Sequence, residues 1–151
     1  MTHRIDYTKA SADGYKAFGA VYATLLKSDL PKGLVDLVYL RVSQINGCAF
    51  CIDMHSRDLL KSGLAVEKLV LVPVWHDAGG VFTQRERVAL AWAESVTRVS
   101  ETGIPDADYD AAAAEFNDKD LADLTYAIGL MNAFNRFGIA FRSTPAAAAR
   151  A

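Results

Sequence analysis

The 151-residue chain has only two cysteines, three histidines and four prolines, and its formal net charge of −2 shows no excess of either sign. Each scarcity excludes something. With acidic and basic residues interspersed, there is no basic footprint for nucleic acid or for a membrane surface, so small substrates or protein partners are the expected ligands. The opening stretch MTHRIDYTKASADGYKAF lacks an uninterrupted apolar run, does not read as a secretory signal, and leads to the expectation of a cytoplasmic protein. The longest apolar-rich stretch, Leu121 to Phe141, is about as long as a bilayer span. It carries Asp123, Asn132, Asn135 and Arg136, however, and is expected to be a buried helix. No segment alternates cleanly between polar and apolar residues, which argues against strands. No glycine, serine or proline run marks a linker, so one domain over residues 1–151 is expected, long enough to bury a sizeable core.

What is present is helical periodicity. Tyr15, Phe18, Val21, Tyr22 and Leu25 recur at spacings of three and four and predict an amphipathic helix from Ser11 to Leu26. Pro31 suits the first turn of a second helix, KGLVDLVYLRVSQI, with Val35, Val38, Val42 and Ile45 as its apolar stripe. After the break at Asn46-Gly47, a third helix is predicted from Cys48 to about Ser62, with Asn46 as its N-cap and Gly63 as its stop. The run LAVEKLVLVPVW fits either a short strand or a helical turn before Pro73. Thr83 and Glu86 form a capping-box pattern opening QRERVALAWAESVTRV. A short helix follows Pro105, and the long apolar helix follows Asp118 to Asp120. The fold class is therefore all-α with six or seven helices, ending in an alanine-rich tail, PAAAARA, expected to fray.

Both cysteines and one histidine fall in the segment GCAFCIDMHS. On a helix, positions 48, 51 and 55 share one face, so two sulfurs and an imidazole project together. A CxxC pair in a first turn also lies near unsatisfied backbone N–H groups and the positive end of the helix dipole, both of which favour thiolate over thiol. Dipole logic picks Cys48 as the more acidic sulfur. The histidine spacing picks Cys51, because His55 can take its proton or stabilise its anion.

Other readings of these residues stand beside the redox one. The cysteines could be inert core residues, or Cys48, Cys51 and His55 could supply three zinc ligands with His76 as a fourth, although familiar zinc patterns pair a CxxC with a second close pair. Asp36, set in the apolar run LVDLVYL away from the stripe and sharing a face with Ser43, is either a solvated helix residue or a carboxylate turned toward the cysteine face. His76 reads as a surface or capping residue and His3 as part of a mobile arm. Asn132, Asn135 and Arg136 either line a pocket or satisfy buried or inter-subunit hydrogen bonds, the second being favoured.

The stretch DLVYLRVSQINGCAFCIDMHSRDLLKSG, with VWHDAGGVFTQRERVALAWAESVT and LMNAFNRFGIAFR after it, resembles the alkylhydroperoxidase D-like branch of the carboxymuconolactone decarboxylase superfamily over about residues 30 to 142. The resemblance implies an all-helical fold with the CxxC at a helix N-terminus and assembly into trimers or hexamers. It also implies a thiol-dependent peroxidase chemistry with no metal or other cofactor. It assigns Cys51 as the thiolate that attacks the peroxide, Cys48 as the resolving thiol, and Asp36 with His55 as the proton relay. A small hydroperoxide would be the substrate, and an external dithiol, of lipoyl or thioredoxin type, the reductant. Two departures stand out: Asp36 is one methylene shorter than the family's glutamate, and Phe50 lies between the cysteines where members can carry a second histidine. The alternatives kept open are the decarboxylase chemistry of other superfamily members, which needs no thiols, and a non-enzymatic redox sensor.

Overall fold

A computed structural model describes residues 3–149 of the chain, and every regular element among them is helical. The elements are α1 (Tyr7–Ala10), α2 (Ala12–Leu25), α3 (Lys32–Asn46), α4 (Ala49–Lys61), α5 (Val66–Leu71), α6 (Gln84–Thr97), α7 (Val99–Thr102), α8 (Asp106–Glu115) and α9 (Asp118–Ala140). Short 3-10 segments lie at Val72–Asp77, Gly79–Val81 and Ala146–Ala149. The helices of six residues or more match the expected six or seven; α1 and α7 are isolated turns of four residues. The ambiguous run LAVEKLVLVPVW resolves as α5 followed by a 3-10 segment opened by Val72 and Pro73.

Local chemistry sets several of the boundaries. The capping box forms as predicted, with the Glu86 amide donating to Thr83 Oγ1 at 3.2 Å and the Thr83 amide donating to Glu86 Oε2 at 2.8 Å. Gly63, at φ +92, ends α4 as expected, and the Leu64 amide donates back to the Leu59 carbonyl at 3.0 Å. Gly47, at φ +71, does the same for α3: its amide reaches the Gln44 carbonyl at 3.3 Å and the Cys48 amide reaches the Ser43 carbonyl at 3.0 Å. This is a Schellman closure, which needs a residue free to adopt left-handed backbone.

Helix α3 is the shared wall of two cores, which is why it is apolar nearly all round. On one side Val38, Tyr39 and Val42 pack with Leu124, Ile128 and Met131 of α9 and Ala89, Trp92 and Ala93 of α6. On the other, Leu37 and Leu40 meet Leu59 of α4, Val72, Trp75, Phe82 and Leu90. Burying a leucine or valine completely stabilises the fold by about 1.5–3 kcal/mol, so these two clusters dominate its cohesion. Arg41, also on α3, is held by the Glu94 carboxylate at 2.7 Å, and Trp75 Nε1 donates to the same oxygen at 2.8 Å.

Three expectations need correction. Helix α2 does not bury its predicted stripe: Leu25 is buried and Phe18 half-buried, while Tyr15, Val21 and Tyr22 are exposed. The N-terminal arm is tied down, with the Arg4 amide donating to the Phe141 carbonyl at 3.1 Å and its guanidinium donating to the Ala140 carbonyl at 2.9 Å. The tail does not simply fray either: residues 146–149 form a 3-10 turn against α4, where the Ala147 amide donates to Asp53 Oδ2 at 3.3 Å, and residues 150 and 151 lie outside the described residues. No helix among the described residues is long and apolar enough to cross a membrane.

Candidate thiol site

The Schellman closure at Gly47 turns the chain by a defined angle and delivers Cys48 to the start of α4. Cys48 is the N-cap of that helix: its Sγ accepts a hydrogen bond from the Cys51 amide at 3.4 Å. Asn46 was the expected cap, but it is the last residue of α3, and its side chain bonds elsewhere. Cys48 accordingly caps the helix from outside instead of opening it, while Cys51 is the third residue within it.

The two sulfurs are joined in a disulfide with a Cα–Cα distance of 5.4 Å. Cys48 is 1 % exposed, Cys51 3 % and His55, one turn further along α4, 5 %. These are residues of a chemically active type enclosed almost completely, with α9 lying over the sulfurs at Gly138.

Helix α3 folds back along α4 and brings Asp36 into the same region. Asp36 is buried, at 5 % exposure, which removes the solvated-surface alternative. Its carboxylate pairs with the Lys32 ammonium one turn earlier on α3, not with His55. Tyr39 lies beside the imidazole: its ring centroid is 5.3 Å from that of His55 at an interplanar angle of 42°. Both Tyr39 Oη and His55 Nε2 are buried and have no protein hydrogen-bond partner.

Burial sets the protonation states here. Desolvation lowers the His55 pKa to about 4, against smaller raising effects from the Asp36 and Asp58 charges and a lowering one from Lys32. The imidazole is therefore neutral near pH 7 and able to accept a proton. The Tyr39 phenol is pushed well above its usual range, again by burial first, then by Tyr22 and Asp36, and stays protonated.

A polar thread ties this corner to α9. Asn46 Nδ2 donates to Asn132 Oδ1 at 3.0 Å and to Asn135 Oδ1 at 2.9 Å, and Asn135 Nδ2 donates to Ser43 Oγ at 3.0 Å. Asn135, fully buried, is thus satisfied by side chains of α3, while Asn132 is only partly buried and lines a shallow cavity with Arg136. Arg136 is exposed and donates to the Asn132 carbonyl at 2.8 Å.

Cys48 caps α4 and Cys51 and His55 lie within it, with Asp36 close enough for its charge to act on His55. His76 belongs to the Val72–Asp77 segment, stacked on Trp75 with ring centroids 3.6 Å apart. Among the described residues, no group of three or more His, Cys, Asp or Glu side chains is placed to hold a metal ion. Sequence reasoning missed Lys32 and Gly138. The spacing of Lys32 to Asp36, one turn apart on a helix, was a usable signal for the first. Nothing local pointed to Gly138.

The model of the family described as "Carboxymuconolactone decarboxylase family" matches residues 12–95. The uncharacterized protein YdfG of Bacillus subtilis is 29% identical over 140 residues, covering 93% of this chain and 95% of YdfG. The uncharacterized protein YnjA of Escherichia coli is 33% identical over 114 residues, covering 76% of this chain and 62% of YnjA. Among solved structures, a protein of unknown function from Agrobacterium tumefaciens, described as a putative antioxidant defence protein AhpD, superposes with a TM-score of 0.91 at 39% identity. That likeness covers 95% of this chain and 98% of the other.

Proposed function

We propose that this chain, which belongs to the carboxymuconolactone decarboxylase family, is a thiol-dependent peroxidase reducing small hydroperoxides through Cys48 and Cys51. The observation that carries this reading is the bridged sulfur pair at the start of α4 with a neutral, buried imidazole one turn beyond it. Bridged cysteines one helical turn apart constrain nothing distant in the fold, so their use is chemical more readily than structural.

The cycle starts from the disulfide. An external dithiol, of lipoyl or thioredoxin type, is oxidised to its own disulfide and gives two electrons and two protons, leaving Cys48 and Cys51 as thiols. Cys51 passes its proton to His55, where burial disfavours the imidazolium and the Asp36 charge offsets part of that penalty, so the proton is held only transiently. The Cys51 thiolate attacks the peroxide: an S–O bond forms, the O–O bond breaks, and the departing alkoxide takes the proton from His55 to become an alcohol. The product is a Cys51 sulfenic acid. Cys48 then attacks that sulfur, the S–S bond forms, the S–O bond breaks, and hydroxide leaves with the Cys48 proton as water.

Apolar side chains left exposed on α2 and α9, Tyr15, Val21, Tyr22 and Tyr126, support the further reading that copies of the chain associate into trimers or hexamers. A cycle that returns through free thiols suits a reducing, cytoplasmic setting.

The test is peroxide consumption by the reduced protein with dihydrolipoamide or a thioredoxin as donor, with mass spectrometry following the return of the Cys48–Cys51 bridge. Cys51→Ser abolishes consumption under this reading; undiminished turnover by that variant would falsify it.

A further inference from the structure

Cys48 and Cys51 are 1 % and 3 % exposed, yet a thiolate that reduces their bridge must reach one of the sulfurs, in line with the bond it breaks. Something over them therefore has to move. Helix α3 is fixed as the wall of both cores, with Val42 and Ser43 fully buried, and α4 is anchored in the second core by Leu59. Helix α9 lies on the pair in close contact. A Cβ built on Gly138 would stand 3.1 Å from Cys48 Sγ and 3.7 Å from Cys51 Sγ, so backbone and sulfurs are packed with no room between them. Beyond Gly138 the helix has little hold of its own: Ile139, Ala140 and Arg142 are exposed, and Phe141 is only half-buried. Parts of a fold with few buried contacts open at the lowest free energy, which singles out this last turn as the cover that lifts.

What fastens that turn comes from the other end of the chain. The last carbonyls of a helix have no partner within it. Here those of Gly138 and Ile139 accept from the Ser143 and Arg142 amides at 2.8 and 3.2 Å, but those of Ala140 and Phe141 accept from Arg4, through its guanidinium at 2.9 Å and its amide at 3.1 Å. The guanidinium also meets the negative end of the α9 dipole. Tyr7 covers the two aromatic rings, its centroid 5.5 Å from that of Phe141, stacked at 27°, and 5.4 Å from that of Phe137. The fastening is light. A cavity of about 370 Å³ lies against the arm, lined by Ile5, Tyr7, Tyr15, Phe18, Phe137 and Phe141, and no residue from 3 to 10 belongs to either core. The arm can therefore lift with both cores intact.

Resting on the reading above that an external dithiol reduces the pair, we propose that residues 3–10 form a latch: Arg4 and Tyr7 hold the last turn of α9 shut over the Cys48–Cys51 bridge, and release of this arm sets the rate at which a dithiol reaches the sulfurs.

The experiment takes the full chain in its bridged form and follows reduction by dithiothreitol, which closes to its ring disulfide, gives up two electrons and two protons, and leaves Cys48 and Cys51 as thiols. Samples are quenched with N-ethylmaleimide and counted by intact mass. Wild type is compared with Tyr7→Ala, Arg4→Ala and, as a control on α9 outside the latch, Arg136→Ala. Tyr7→Ala should speed reduction by roughly tenfold, the scale of the two ring contacts given up. Arg4→Ala, which keeps its backbone bond, should speed it by roughly threefold, and Arg136→Ala should match wild type. Each rate is repeated at low urea concentrations, because lifting the arm exposes little surface and should depend on urea far less than global unfolding does. Reduction of Tyr7→Ala at the wild-type rate, an equal gain in Arg136→Ala, or a urea dependence as steep as that of global unfolding overturns the latch. Should Tyr7→Ala not fold, Arg4→Ala decides on the same terms, since its side chain is exposed. If the reduced wild type consumes no peroxide, the peroxidase reading fails while the reduction rates still decide the role of the arm.

Discussion

Asn46, the last residue of α3, donates its side-chain amide at 2.9 Å to Asn135 in α9, across 89 positions of sequence. The bond fixes the residue immediately before the Gly47-Cys48 turn, so the position of the first sulfur depends on a helix from the other end of the chain. Replacing Asn135 by alanine leaves the partly buried Asn46 amide with one fewer partner and the fully buried Ser43 hydroxyl without its donor. The expected cost is about 2–4 kcal/mol by urea denaturation, with the slope unchanged. Arg136→Ala, one position along but exposed, should change stability by about 0.5 kcal/mol or less.

Stability should also carry the signature of His55. Its folded pKa is depressed to about 4 from an ordinary 6.5, so between those values the unfolded chain binds a proton that the folded chain refuses. Stability is therefore full above pH 6.5 and falls as the pH drops toward 4, by about 3 kcal/mol from this group. His55→Gln should flatten that part of the profile, and a difference curve from chemical denaturation at several pH values measures it.

The charges around His55 pull in opposite directions, which makes them separable. Asp36 favours the imidazolium and Lys32 opposes it. Asp36→Asn should move the His55 titration to still lower pH, and Lys32→Gln should move it up, as followed by NMR of the imidazole ring. Shifts of the same sign in both variants would contradict this arrangement.

Cys48→Ser should trap the cycle at its midpoint. Without a thiol donor the variant is expected to consume one equivalent of peroxide in reaching the Cys51 sulfenic acid and, under excess peroxide, a second in reaching the sulfinic acid, with no turnover beyond that. Intact-mass spectrometry distinguishes that product from the bridged wild type.

The features legible in the sequence are those set by neighbours within a turn or two. The 48, 51, 55 spacing, the Thr83–Glu86 capping box and the stop at Gly63 all depend on helix geometry alone. The cap of α4 was misassigned for a physical reason: Asn46 is a good N-cap type, but Gly47 closes α3 one residue after it and the Asn46 amide is claimed by α9. Burial of Asp36 depended on how α4 lies against α3, and the exposure of Tyr15, Val21 and Tyr22 on what does not cover α2. Neither is encoded in the local pattern. Gly138 is the extreme case, since its meaning comes entirely from sulfurs about ninety residues earlier.

Cys48 Sγ accepts the Cys51 amide as well as bonding to the Cys51 sulfur. Reduction breaks the bridge and leaves Cys48 as a thiol whose sulfur is free to turn about its Cα–Cβ bond, so the redox state of the pair changes how one backbone proton at the head of α4 is held. Hydrogen exchange at that amide should differ between the oxidised and the reduced protein, giving a spectroscopist a reporter of turnover already wired into the helix.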